Sequence, residues 1–223
     1  MNHFFIEQYY PFTKDDKLGL SQYKGGKKAY RNMIQYRTFK TITPEMVYNL
    51  GYSELKRLLK EKERLQKVLK LDNIDDEVKK HVFKDKKSIL KNLKDIQKDH
   101  QTKIYSKYFH GELSDKDLYD IKSISIENKH MFAYYDQGDL KNKNKGTFYI
   151  NTFNPEIINK YELYVLSLHE GIPGHHLQIL KQKTLKTPFY LKLGDDTYSE
   201  GWALYCENLG DYKDDFHYYY KLN

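Results

Sequence analysis

Apolar residues return every three or four positions through much of this chain, the spacing of one helix face. Leu55, Leu58, Leu59, Leu65, Val68 and Leu69 repeat in this way with charges between them. Ahead of them stands Thr43-Pro44-Glu45. A hydroxyl N-cap, a proline at the first helical position and an acid in the first turn together mark a helix start. The pattern predicts one long amphipathic helix, or two broken near Gly51. A further helix is expected over 82–109, through Ile89, Leu93, Ile96 and Ile104, and its thin apolar stripe places it on the surface. The first forty residues read as loop and short helix, with a turn signal at Gly25-Gly26.

The character changes after Gly111. Residues 121–135 and 146–153 are rich in β-branched and aromatic types and bounded by Gly, Asn and Lys, so they read as short strands. The charged stretch 139–145 between them reads as an exposed connector. An apolar helical pattern returns from Asn159 to Lys183, interrupted at Pro173-Gly174, and a final helix is expected over Thr197 to Leu209. The fold class is therefore mainly α with a small antiparallel β-sheet. The expected organisation is a single unit with a helical part at 1–110, a small sheet at 111–158 and helices at 159–223.

Composition narrows the function classes. The hydrophobic share of 39% includes 22 Tyr. Without Tyr, and with the 12 Gly added, it falls to roughly 35%, against about 45–50% for globular chains. An aromatic content of 15% excludes intrinsic disorder, and the lone Cys206 excludes an intrachain disulfide. No apolar run reaches membrane-spanning length. The start, MNHFFIEQYYPF, lacks the basic and apolar regions of a secretory signal, so a cytoplasmic location is expected. The net charge of +7 comes from 38 Lys+Arg against 31 Asp+Glu. Only Arg31, Arg37, Arg57 and Arg64 are arginines, and the lysines alternate with acids, the pattern of a solvated helix face rather than a nucleic-acid patch.

Chemistry concentrates in residues 167–178, SLHEGIPGHHLQ, where three of the nine His fall within eight residues beside Glu170. A zinc hydrolase needs imidazoles converging on one metal, and a neighbouring carboxylate to take a proton from the attacking water. The usual solution, His-Glu-x-x-His, fails here because Pro173 occupies the fourth position after His169. In a continuous helix His176 lies about 700° on from His169, on the same face and about 10.5 Å along the axis. A kink at Pro173-Gly174 would shorten that span. His175 lies about 240° round and ligates only if the backbone bulges. Periodicity thus favours His176 slightly, with His175 as the alternative ligand or a transition-state donor.

A third ligand is expected from Glu200 in YSEGWALYCENLG, 31 residues after His169. Glu207, two turns further on the same face, is placed to orient a ligating His. The strand GTFYINT then offers an edge on which an extended peptide pairs. Trp202 and Tyr205 read as core residues, and Cys206 as a small buried hydrophobe.

Five segments carry a family resemblance: KGGKKAYRNMI, TITPEMVYNLGYSEL, KGTFYINTFNP, YELYVLSLHEGIPGHHLQ and YSEGWALYCENLG. In order and spacing they resemble the bacterial family called domain of unknown function 885, itself similar to the zinc-dependent gluzincin metallopeptidases. The resemblance implies a helical zincin-like body with a small antiparallel sheet beside an active-site helix pair. It implies zinc bound by His169, Glu200 and one or both of His175 and His176, with Glu170 as general base. The implied activity is hydrolysis of a peptide or small amide substrate. Family members commonly extend beyond the EGWALY helix, whereas this chain stops 23 residues after Glu200. A second expectation is therefore a truncated or split-gene remnant, its missing portion encoded separately, that keeps the metal constellation without turnover. A third, resting on charge alone, is a basic nucleic-acid-binding protein.

Overall fold

The computed structural model describes Glu7 and residues 19–38, 40–70, 76–77, 79–138, 145–186 and 196–222. The chain divides into two compact units, Met1–Arg57 and Leu58–Asn223. Most of the expected connector 139–145 lies outside the described residues.

The first unit contains a short 3-10 turn at Gly19–Gln22, helix α1 (Gly26–Thr38) and the first half of helix α2 (Pro44–Leu69). Gly26 opens α1 because no other residue fits. A Cβ there would lie 1.6 Å from the Leu20 carbonyl oxygen. At the start of α2 the Thr43 hydroxyl accepts from the Met46 N–H at 3.2 Å, and the helix then runs unbroken through Gly51. One glycine costs only about 1 kcal/mol relative to alanine, too little to end a helix of this length.

The second unit is mainly α with a small sheet. Helix α3 (Lys86–Asp99) starts at a capping box between Asp85 and Ser88 and continues through a π-helical segment, His100–Tyr105, to Tyr108. Contrary to the surface position expected for it, α3 lies in the core: Ile89 and Leu93 are fully buried, and Ile96 and Ile104 nearly so. Two glutamines, Gln97 and Gln101, complete the buried face. Gln97 Nε2 donates to Tyr119 O at 2.8 Å, and Gln101 Nε2 donates to Leu113 O at 2.7 Å. Such links satisfy the amides where apolar neighbours would leave them unpaired.

Strands β1 (Asp120–Ser123), β2 (Ala133–Asp136) and β3 (Thr147–Ile150) form a sheet in the order β1-β3-β2. The sheet is mixed rather than antiparallel: Asp120 pairs with Thr147 in a parallel ladder, and Ala133 with Ile150 in an antiparallel one. β3 takes the centre because it is the most apolar strand, with Phe148 and Ile150 fully buried. The segment GTFYINT is consequently not an edge, and that role falls to β1 and β2.

Helices α4 (Lys160–Glu170), α5 (His175–Thr184), α6 (Asp196–Glu207) and α7 (Asp215–Lys221) complete the unit. The main cluster joins Ile89 and Leu93 to Phe148, Ile150, Leu163, Ile172 and Leu177, with Tyr105 and Tyr119 among them. Cys206 is fully buried, and its thiol is pushed up to about 12, by burial first and then by the Glu207 charge, as befits an inert packing residue.

Candidate metal centre

The centre begins with the corner between α4 and α5. Asn159 caps α4 by accepting from the Tyr161 N–H at 2.8 Å, and Leu163, Ser167 and Leu168 turn one face inward. His169 and Glu170 then emerge at the last turn. The chain does not continue as a kinked helix; it stops at Gly171 and restarts at His175. Two glycines make the corner possible. A Cβ on Gly171 would lie 2.4 Å from the Tyr119 hydroxyl, and one on Gly174 would lie 1.8 Å from the His169 carbonyl oxygen. Only a bare backbone folds this tightly onto the end of the preceding helix.

The corner resets the angular phase, so the count that favoured His176 no longer holds. His175 meets His169, their rings nearly perpendicular at 4.9 Å between centroids. α6 brings Glu200 to the same point. His169 Nε2 lies 3.3 Å from Glu200 Oε2, and His175 Nε2 lies 3.6 Å from Glu200 Oε1. One ligand atom from each of His169, His175 and Glu200 lies within 4.8 Å of the others. Glu207, one face-repeat beyond Glu200, accepts from His169 Nδ1 at 2.8 Å. That bond leaves Nε2, on the side of Glu200 and His175, as the lone-pair nitrogen.

His176 points elsewhere and is 3% exposed. Its Nε2 lies 2.6 Å from Asp117 O, and its Nδ1 lies 2.8 Å from the Tyr135 hydroxyl. A carbonyl only accepts, so Nε2 carries the proton and Nδ1 accepts from the tyrosine. Burial pushes this imidazole down to about 4. The structure thus gathers three of the expected ligands, His169, His175 and Glu200, and sets His176 into the interior as a link between α5 and β2.

Glu170 is raised above the ordinary carboxylate range, chiefly by burial. The charges of His175 and His169 oppose that rise, Glu200 adds to it, and the main-chain N–H of Tyr135 works to lower it. For His169, burial works downward but is outweighed by the Glu207 hydrogen bond and by the charges of Glu170, Glu207 and Glu200, so its pKa is raised.

Three contributors escaped the sequence reading. Trp202, half-buried, donates from Nε1 to Pro173 O at 2.9 Å, and Gln178 Nε2 donates to Ser199 Oγ at 2.7 Å. The only signal for them was adjacency to the histidine pair and to Glu200. Tyr205 is not the core residue it resembled; it is 55% exposed.

Over residues 1–221 the chain matches the family described as bacterial protein of unknown function, DUF885. It belongs to that family. The DUF885 fold is also recognisable in a solved structure, the "putative lipoprotein from Colwellia psychrerythraea". The two share 22% identity at a TM-score of 0.78, over 92% of this chain and 38% of that one. At that identity the likeness concerns the fold alone, and this DUF885 chain spans well under half the length of its relative. No curated protein matches the chain.

Proposed function

We propose that this chain carries the metal centre of a hydrolase acting on peptide or small amide substrates, with zinc held by His169, His175 and Glu200. The convergence of those three donors at the α4–α5 corner carries the reading. Two imidazole nitrogens and a carboxylate oxygen form a donor set suited to zinc. The bond from Glu207 to the far nitrogen of His169 is the support such a ligand ordinarily has. A bound zinc supplies Lewis acidity toward the scissile carbonyl and toward water.

Glu170 handles the proton. Its raised pKa brings the carboxylate nearer to the range in which a group accepts a proton from attacking water and returns it to a leaving amine. The Tyr135 N–H steadies it from β2. Phe132 O accepts from Asn151 N, so the antiparallel alternation turns the main-chain groups of Ala133 and Tyr135 away from β3. The outward groups of this edge that Glu170 does not take, those of Ala133 and the Tyr135 carbonyl, rather than GTFYINT, are where an extended substrate adds a strand. Among the described residues no helix is long and apolar enough to cross a membrane. A relative described as a lipoprotein lends no support to the cytoplasmic location expected from the sequence.

Metal analysis of the purified chain is expected to find about one zinc per molecule, lost in the His169→Ala, Glu200→Ala double variant. Hydrolysis of a peptide library is expected to vanish in Glu170→Gln while the zinc stays bound. Zinc retained by the double variant would sink the ligand assignment. Because the chain spans 38% of its solved relative, a second reading is a centre that binds metal without turnover. Bound zinc with no cleavage of any library peptide would select that reading.

A further inference from the structure

We propose that Ser199, Gln178 and Trp202 are positioning residues of the metal centre, fastening α6 to the α4–α5 corner so that Glu200 meets His169 and His175. The inference rests on the metal reading above. The Glu200 side chain is 59% exposed, so burial does not hold it, and its place depends on where the α6 backbone lies. Two side-chain hydrogen bonds bracket it. One residue before it, Ser199 Oγ accepts from Gln178 Nε2 at 2.7 Å; two residues after it, Trp202 Nε1 donates to Pro173 O at 2.9 Å.

Both bonds end on stretches that carry the imidazoles. Gln178 follows His175 by three residues in α5, which puts the two on one helix face. Pro173 stands in the corner between His169 and His175. None of the three residues belongs to the donor cluster itself. Gln178 is 8% exposed, and its Oε1 is buried without a partner. A buried amide with one end unsatisfied is costly, and a leucine would fill the same space without that cost. What the amide contributes is the bond to Ser199.

The test uses the full chain, with zinc affinity read by competition against a chromophoric chelator and the visible absorption of the cobalt-loaded protein. Ser199→Ala and Gln178→Leu are each expected to weaken zinc binding about tenfold and to change the cobalt spectrum. Ser199→Thr, which keeps the hydroxyl, should restore both. Trp202→Phe keeps an aromatic ring but removes the donor, and should weaken zinc binding as well, giving an independent reading should Ser199→Ala not fold. A purely structural role would lower the melting temperature while leaving the cobalt spectrum of the loaded protein unchanged, and that result overturns the inference. So does wild-type affinity in Ser199→Ala or, if that variant does not fold, in Trp202→Phe. A wild-type chain that binds neither metal overturns the metal reading and this inference with it.

Discussion

Among its described residues, Met1–Arg57 buries only Gly26, whereas Leu58–Asn223 holds Leu93, Phe148, Leu163 and Ile172 at 0% exposure. Both units are rich in helix, but they come by it differently. In the first, helix formation rests on short-range devices: the Thr43 cap, the stacked Tyr48 and Tyr52 at 6.0 Å, and the Glu54–Arg57 ion pair. Apolar side chains there stay in contact with solvent, Leu50 at 72% exposure. In the second unit the 11-residue α4 is shorter than an isolated helix would need to be, and packing against α6, α7 and α3 holds it. The contrast teaches that helical periodicity reports a backbone preference, while a site demands segments brought from far apart in sequence.

The sharpest test of that contrast is a cavity on the enclosed side. Leu163→Ala should lower the unfolding free energy by about 3 kcal/mol in urea titrations. A loss under about 1 kcal/mol would place α4 outside the cooperative core. Acid gives the next largest effect. Burial pushes His100 down to about 4, against the weaker opposition of the Asp99 charge and the Ile172 main chain. In the unfolded chain the same group titrates near 6.5. Between those values only the unfolded state takes up the proton, so its contribution is complete above about pH 6.5 and is lost as pH falls toward 4. His100 should account for a loss of about 3 kcal/mol at the acid end, and His100→Gln should remove that share while leaving the one that His176 contributes over the same range. Equal pH dependence in the two proteins would remove His100 from the account.

Smaller effects separate the metal corner from the solvent-facing helix. Glu207→Ala should weaken zinc binding about tenfold, because His169 loses the acceptor that fixes its tautomer. Unchanged affinity would leave Glu207 as a packing residue only. Leu50→Ala should shift stability by no more than about 0.5 kcal/mol in the same urea titrations. A clearly larger loss would show that the first unit encloses this side chain in solution.

Much of the site was legible residue by residue. His169, Glu170 and Glu200 stood out because three histidines and a carboxylate crowd a short apolar segment, and a second glutamate opens the next helix. Glu207 followed from helical spacing alone, and the structure gives it the expected partner. The choice between His175 and His176 did not follow. It depended on whether Pro173-Gly174 bends a helix or ends it, and a tight corner changes the angular relation of every residue beyond. Trp202 failed for a related reason: an indole reads as bulk, and its single donor counts only once Pro173 O is in reach.

The sequence by itself determined the helix starts at Thr43-Pro44 and Asn159, the interruption at Pro173-Gly174, the short strands and the residue types of the His/Glu cluster. Those features rest on capping, fixed proline geometry and side-chain chemistry, which act within a few residues. Tertiary structure decided that α3 is buried, that β3 is central, that β1 and β2 are the edges and that His175 rather than His176 faces Glu200. Each of these depends on a partner distant along the chain, and neither periodicity nor composition encodes which partner arrives.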